Sequence, residues 1–344
     1  MDPSSNRCFV DEIEFSEDDI RPSKLMAEKQ EDLLWDRNFL LAKKNEWEFV
    51  DCPSCQSDNF ATFGEKEGFV YVNCLRCRTV YTNPRPSQEL SHQFYQQSRN
   101  YAFWNKHIFP ATENVRRERI FKPRARRVID YCKSCDIEFG SLIDVGAAYG
   151  TFCEEIKQAG LFRKVYALEP TPDLASTCRS RGLDTFETPI EDLSDSKFFD
   201  VVTAFEVLEH LYAPNKFISR CRRLLRPNGL LILTCPNVLG FDVTTLGLQS
   251  GTFDHEHVNY FHPDSLSSLM ESCSFRVLAV ETPGQLDADI VRKNALLGRI
   301  DLSQQRFLHH VLIEKWETLG AVFQDFLSKN LLSSHMWIVG QRVD

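Results

Sequence analysis

Leu142-Ile143-Asp144-Val145-Gly146-Ala147-Ala148-Tyr149-Gly150-Thr151-Phe152 is the stretch on which the reading of the fold turns. A short apolar run, a glycine-containing turn and a fresh helical start follow one another within eleven residues. In doubly wound α/β proteins the turn between the first strand and the first helix binds a nucleotide, because glycine lets the backbone approach the ligand. A dinucleotide fingerprint needs G-x-G-x-x-G, yet the second and third glycine positions are Ala148 and Thr151. Asp144 closes the strand. A carboxylate there repels a pyrophosphate and attracts a cofactor that carries an ammonium group. S-adenosylmethionine has that group and no phosphate.

Working outward, further apolar runs at Val165–Leu168, Val201–Phe205, Leu230–Thr234, Phe275–Val280 and Met336–Val339 alternate with helical segments. Strands spaced by helices over some 200 residues predict an α/β fold with a doubly wound, seven-stranded, mostly parallel sheet covered on both faces. Glu169 ends the second strand, 23 residues after Gly146, where a carboxylate accepts hydrogen bonds from ribose hydroxyls. Arg223–Gly229 reads as a helix end stopped by Gly229, and residues 286–334 as a helical insertion before the last strand. No internal repeat is evident.

The first part of the chain has a different character. Residues 1–22 read as an acidic arm, and Ser23–Glu48 as one amphipathic helix carrying Leu25, Leu33, Leu34, Phe39, Leu40, Leu41 and Trp47. Cys52-x-x-Cys55 is followed after 18 residues by Cys74-x-x-Cys77, the spacing of a structural zinc site. Four thiolates close a tetrahedral site, which suits a unit, residues 51–86, too small for its own core. Cys132-x-x-Cys135 repeats the spacing without a partner pair and reads as incidental. Residues 87–135 read as a helical connector, with Tyr95 and Tyr101 as a lid. The basic stretch Arg116–Arg127 could receive a diphosphate, but reads first as a solvated helix face.

Composition sets outer bounds. The 344 residues carry 40 Lys and Arg against 49 Asp and Glu, a net charge of -9, which lacks the basic footprint of a general nucleic-acid binder. No apolar run of about 18 residues suits a membrane span. Met1–Ile20 lacks the pattern of a secretory signal, so a cytoplasmic protein with reduced thiols is expected. The sequence is silent on oligomeric state.

Asp144-x-Gly146-x-x-x-Gly150, Glu169, Ile190-Glu191, the run Phe199-Asp-Val-Val-Thr-Ala-Phe205-Glu-Val-Leu-Glu-His210-Leu, and Leu225-Arg-Pro-Asn-Gly229 with Pro236-Asn237 form one pattern. Over residues 141–240 it resembles the class I S-adenosylmethionine-dependent methyltransferases that act on small molecules such as sugars and quinone precursors. The resemblance implies that Asp144, Gly146, Ala148 and Gly150 hold the methionine end of the cofactor and Glu169 the ribose. It likewise implies that Ile190 and Glu191 border the adenine and that the Phe205 carbonyl region faces the ammonium. Many relatives have an acid where this chain has Pro189. The four-cysteine unit, ending in Thr82-Asn-Pro-Arg-Pro86, is similar to the N-terminal part of zinc-containing methyltransferases of bacterial sugar pathways. The tail from Pro283 resembles surface-polysaccharide methyltransferases.

For the chemistry, Asp254-His255-Glu256-His257 puts four imidazole or carboxylate groups past a strand's C-terminal end, the face where such sheets bind ligands. Glu256-His257 match the acid and histidine of the sugar C-methyltransferase motif, which implies His257 as general base with Glu256 as its partner. His210 is a further candidate, and His255, Tyr260, Tyr101 and Asp287, with Asp289 beside it, are candidates for substrate contact. A metal site on His255, His257 and His262 is the competing reading of the loop. The reading as a whole is methyl transfer to a small hydroxylated metabolite, foremost a nucleotide-linked sugar, with zinc and S-adenosylmethionine bound and no nucleic-acid or membrane partner. The alternatives are an RNA methyltransferase that grips its substrate with the zinc unit and a cofactor-binding scaffold without activity. A dehydrogenase is opposed by Asp144 and the missing glycines.

Overall fold

The computed structural model describes residues 15–343. In chain order its main strands are β1 (Phe60–Lys66), β2 (Phe69–Cys74), β3 (Val80–Thr82), β4 (Ser141–Val145), β5 (Lys164–Leu168) and β6 (Asp184–Phe186). They continue with β7 (Phe199–Phe205), β8 (Leu225–Pro236), β9 (Asn259–Tyr260), β10 (Phe275–Glu281) and β11 (His335–Arg342). Seven of them form one sheet in the order β10-β11-β8-β7-β4-β5-β6. From β6 to β8 all neighbours are parallel, and β11 runs antiparallel between β8 and β10. This is the expected doubly wound sheet.

Period-two alternation divides the core into two layers. Leu142, Val201, Leu230 and Val339 face the helices Lys122–Ser134 and Thr151–Gln158 through Val128, Ile129, Phe152 and Ile156. Ile143, Val202, Leu231 and Ile338 face Pro214–Leu224 and Pro263–Ser272 through Phe217, Ile218, Leu266 and Leu269. Every residue of β7 is buried, as a strand covered on both sides requires.

The other sheet has the order β9-β3-β2-β1. Its strand β9 comes from the far end of the chain and pairs Asn259 with Tyr81 and Tyr260 with Val80. The four-cysteine unit is therefore completed by the segment that follows the histidine-rich loop.

Several expectations need correction. The single helix over Ser23–Glu48 is two helices, Ser23–Glu28 and Gln30–Leu41, interrupted at Lys29, whose side chain turns inward. Lys44–Glu46 then forms a short turn, and Trp47–Glu48 pairs with Arg85–Pro86. Of the acidic arm, residues 1–14 lie outside the described residues, while Glu17–Ile20 makes one helical turn with Ile20 buried. The helix before β8 ends at Leu224, not at Gly229, and Asn228 takes the positive φ of +63°. Gly229 serves close packing instead, since a Cβ there would sit 2.9 Å from the Asp200 carbonyl oxygen. The insertion before β11 is helical, with Asp287–Leu296 and Trp316–Lys329 as its main elements.

Candidate functional site

The turn after β4 is built from three positive-φ residues, Gly146 at +74°, Ala148 at +47° and Gly150 at +76°. At Gly146 a Cβ would also meet Val207 Cγ2 at 2.7 Å, so only glycine fits. Asp144 is 3% exposed and accepts a hydrogen bond from Thr203 Oγ1 at 2.7 Å. Burial pushes its carboxyl up to about 7. Glu169, at the end of β5, accepts from Ala148 N and Thr171 N, each at 2.9 Å and each on a different oxygen. One lone pair on each oxygen stays available for a further donor. Ile190 lies buried on the same cavity, and Glu191 follows it.

The loop before β9 is a tight turn. Asp254 Oδ1 accepts from Glu256 N at 2.9 Å and from His257 N at 2.8 Å. His257 Nδ1 lies 2.8 Å from the Thr252 carbonyl oxygen, which can only accept, so Nδ1 carries the proton and Nε2 keeps its lone pair. His210 Nδ1 lies 3.2 Å from the Glu256 carbonyl oxygen, and its ring centroid is 4.7 Å from that of His257. Burial and then the neighbouring His257 push His210 down to about 3, which keeps it neutral. Beneath the pair, Glu209 is buried with both carboxylate oxygens unpartnered, and burial raises its carboxyl far above the usual range.

Glu256 does not orient His257. Its Oε1 accepts from Asn100 Nδ2 at 2.5 Å and lies 3.8 Å from His255 Nε2, while Asp254 Oδ2 stands 3.7 Å from His257 Nδ1. Asn100 is fixed in turn by Asp36, which is fully buried and accepts from Ser98 Oγ, Arg99 N and Asn100 N at 2.5, 2.8 and 3.0 Å. A single cavity of about 2070 Å³ joins the Asp144–Tyr149 turn, Glu169 and Ile190 to His210 and the loop 254–257.

The four cysteine sulfurs gather at one point. Cys52 Sγ and Cys77 Sγ are 3.5 Å apart, as are Cys55 Sγ and Cys74 Sγ, and all four lie within 4.8 Å of one another. Tetrahedral zinc with Zn–S bonds of about 2.3 Å would set its sulfurs about 3.8 Å apart. The cluster could hold a metal ion of that kind.

Comparison with known proteins bears on the domain that carries this site. Residues 115–280 match a protein family described as "Methyltransferase domain". The chain contains a methyltransferase domain. Its curated relatives include a "Ubiquinone biosynthesis O-methyltransferase" of Bradyrhizobium diazoefficiens, 24% identical over 177 residues that cover 47% of this chain and 68% of that protein. A protein of the same description from Xanthomonas oryzae pv. oryzae is 28% identical over 167 residues, 43% of this chain and 68% of its own. Among solved structures, a SAM-dependent methyltransferase from Archaeoglobus fulgidus aligns with a TM-score of 0.46 at 20% identity, over 69% of this chain and all of its own.

Within the methyltransferase domain, Phe205 ends β7 with its ring against Phe152 and Trp337, and the Arg124 guanidinium lies 4.3 Å over that ring. Tyr95 and Tyr101 meet edge to face and stand with ring centroids 6.2 and 6.5 Å from His210. Tyr260 is not part of the cavity: it is 1% exposed, packed on Tyr71 and Phe253, and its hydroxyl donates to the His257 carbonyl oxygen. Asp287 lines the cavity, but its oxygens accept from Ser333 Oγ, Ser334 N and Gln324 Nε2, so it pins the insertion to β11 and is no open substrate ligand. Asp289 accepts from Glu17 N. His255, His257 and His262 do not converge, because His262 turns to the cysteine unit and His255 to Glu256.

The basic stretch is a solvated face only in part, with Arg126 exposed. Arg117 pairs with Glu113, Glu154 and Glu155, Arg127 pairs with Glu281, and Arg116 lies half-buried against Trp104. Sequence reasoning also missed Lys29, Asp36, Asn100, Glu209 and Arg85. Arg85 is 1% exposed and donates to the carbonyls of Thr82 and Val258 and to Asn259 Oδ1, tying β3 to the loop. Its place between two prolines hid that role.

Proposed function

We propose that the protein transfers the sulfonium methyl of S-adenosylmethionine to a hydroxyl of a small metabolite seated against His257. The observation that carries this reading is the single cavity that runs from the Asp144 turn to the histidine pair. When bound, S-adenosylmethionine supplies a methyl group open to in-line displacement. Asp144 suits the cofactor's ammonium, the spare lone pairs of Glu169 suit the ribose hydroxyls, and Ile190 offers an apolar face to the adenine.

His257 Nε2 is the acceptor left free by the Nδ1 contact with Thr252, and it takes the proton from the substrate hydroxyl. Asp254, 3.7 Å from Nδ1, stabilises the imidazolium that results. Tyr95 and Tyr101 wall off water above His210. A hydroxyl acceptor agrees with the O-methyltransferase naming of the relatives, and the volume of the cavity has room for an acceptor as large as a nucleotide-linked sugar. Zinc on Cys52, Cys55, Cys74 and Cys77 has a structural part in this reading, since four thiolates leave no open coordination position.

The test is mass spectrometry of nucleotide-sugar and phenolic metabolite pools incubated with protein and S-adenosylmethionine, looking for a methyl-sized gain in one component. His257→Ala should lower turnover by about a hundredfold or more and leave S-adenosylhomocysteine affinity within about twofold. Full turnover in that variant would remove His257 as the base.

A second reading of the same atoms is favoured by Glu209. One ligand atom each of Glu209, His210 and His257 lies within 4.8 Å of the others, and the Glu209 oxygens accept no hydrogen bond, with Oε1 4.0 Å from His210 Nε2. A divalent cation there would pair that buried carboxylate and lower the pKa of a bound hydroxyl.

A further inference from the structure

The wall of the cavity opposite the sheet is made by parts of the chain that lie outside the matched domain or at its edge. Lys29, at the break between the first two long helices, is 5% exposed and lines the cavity. Its ammonium donates to Asn100 Oδ1 at 3.1 Å and stands 5.1 Å from the centroid of Trp104. Arg116 stands with its guanidinium 5.3 Å from the same ring and 5.7 Å from Phe109. Its Nε donates to Thr112 Oγ1 and its Nη2 to the Ile20 carbonyl oxygen.

Neither cation forms an ion pair among the described residues. Glu256, Asp254 and Asp36 act on Lys29 from beyond ion-pair distance, with Asp36 bonded to Ser98, Arg99 and Asn100 and Glu256 bonded to Asn100. The charges that act on Arg116 are those of Arg21 and Arg124, both positive, and burial among them lowers its basicity. A cation drawn out of water with no carboxylate in ion-pair contact is stabilised when an anion arrives to pair it. Neutral protein acceptors use one of three Lys29 donors and two of the Arg116 nitrogens, so donors remain for a ligand.

The position of these groups says which ligand. Lys29 is one residue removed from the histidine loop through Asn100 and Glu256. Phe109 touches Tyr149 of the cofactor turn at a centroid distance of 5.8 Å. The two cations thus lie on the acceptor side of the cavity, between cofactor turn and base. We propose that Lys29 and Arg116, gathered on Trp104, bind an anionic group, phosphate or carboxylate, carried by the acceptor. This rests on the methyl-transfer reading above and adds the acceptor's charge to it.

Calorimetric titration of the full chain with inorganic pyrophosphate and, separately, with malonate, each with and without S-adenosylhomocysteine, tests the proposal. At least one anion should bind. Its affinity should fall at least tenfold in Lys29→Met and in Arg116→Met, with S-adenosylhomocysteine affinity within twofold of the parent. Tighter pyrophosphate indicates a phosphorylated acceptor and tighter malonate a carboxylated one, and either supports the site. Absence of binding by both anions, or equal binding by the methionine variants, overturns it. Should those variants melt early, tryptophan emission decides: the anion should change it in the parent and not in Trp104→Phe, and an equal change in both overturns the proposal. Loss of S-adenosylhomocysteine binding in the parent with anion binding intact would instead remove the methyl-transfer reading alone.

Discussion

His262 Nε2 donates to the carbonyl oxygen of Cys77 at 2.8 Å, joining residues 185 positions apart. Around this bond Thr82 N donates to Val258 O at 3.1 Å and Ser54 Oγ to Ser265 O at 2.7 Å. The loop that carries His257 is therefore sewn to the four-cysteine unit on one side. On the other, Val258 N donates to Glu209 O and Asn259 Nδ2 to Leu208 O. Metal binding to such a unit is worth on the order of 10 kcal/mol. Cys77→Ser, or chelation of the metal, should raise amide exchange at Val258–Phe261 and lower turnover at least tenfold. Hydrogen exchange unchanged in that segment would show that the cysteine unit does not hold the loop.

Asp144 gives a pH dependence with a defined sign. Its folded carboxyl ionises at about 7 and its unfolded one near 3.8, so between those values the native state holds a proton that the unfolded state lacks. Stability of the cofactor-free protein contributed by this group is thus lost as pH rises through that window. A ligand with an ammonium group favours the ionised carboxylate, so S-adenosylhomocysteine should bind more tightly from pH 5.5 up to about 7. Asp144→Asn should flatten both trends and weaken binding at least tenfold. Calorimetry at several pH values checks this, and equal pH slopes in parent and variant would exclude Asp144 as the ammonium partner.

Asp36 stands behind the histidine loop, one oxygen within 4.8 Å of His255 and Glu256, and it orders the residue that grips Glu256. Asp36→Ala strands three donors, two of them buried, a cost of about 3 kcal/mol, readable in a urea melt. With Asn100 released, kcat should fall about tenfold more than KM changes, a split that loss of stability alone does not produce below the melting temperature. A pure stability loss with kcat intact would confine Asp36 to folding.

Glu209 separates the two ways of activating the acceptor. If a divalent cation sits on Glu209, His210 and His257, turnover of dialysed protein should rise with added magnesium or manganese. Glu209→Gln should then abolish that response while the zinc content of the cysteine unit stays unchanged by elemental analysis. Turnover independent of added cation in the parent leaves His257 as the sole base.

How much of this was legible in the sequence follows from range of interaction. The β4 turn, Glu169 and the paired CxxC motifs are local patterns, and each is found where its spacing put it. The edge strand Asp184–Phe186 gave no signal, being three residues long, polar at one end and never fully buried. The motif resemblance pairs Glu256 with His257, whereas after the Asp254 turn Glu256 reaches Asn100 and His255 instead. Lys29, Asp36 and Asn100 were invisible for another reason. Their role exists only through contacts across more than 60 residues, and an apolar spacing that reads as ordinary packing conceals the polar side chains it carries inward.

The pairing of β3 with β9 has a consequence for biosynthesis. Val80–Thr82 leaves the ribosome long before Asn259 and Tyr260 exist to cover it, so the nascent N-terminal unit displays an open edge of backbone donors and acceptors. Chains cut short before residue 259 keep that edge and are expected to self-associate. Completion of the histidine loop and protection of the edge are one event, which couples the appearance of activity to the disappearance of a sticky surface.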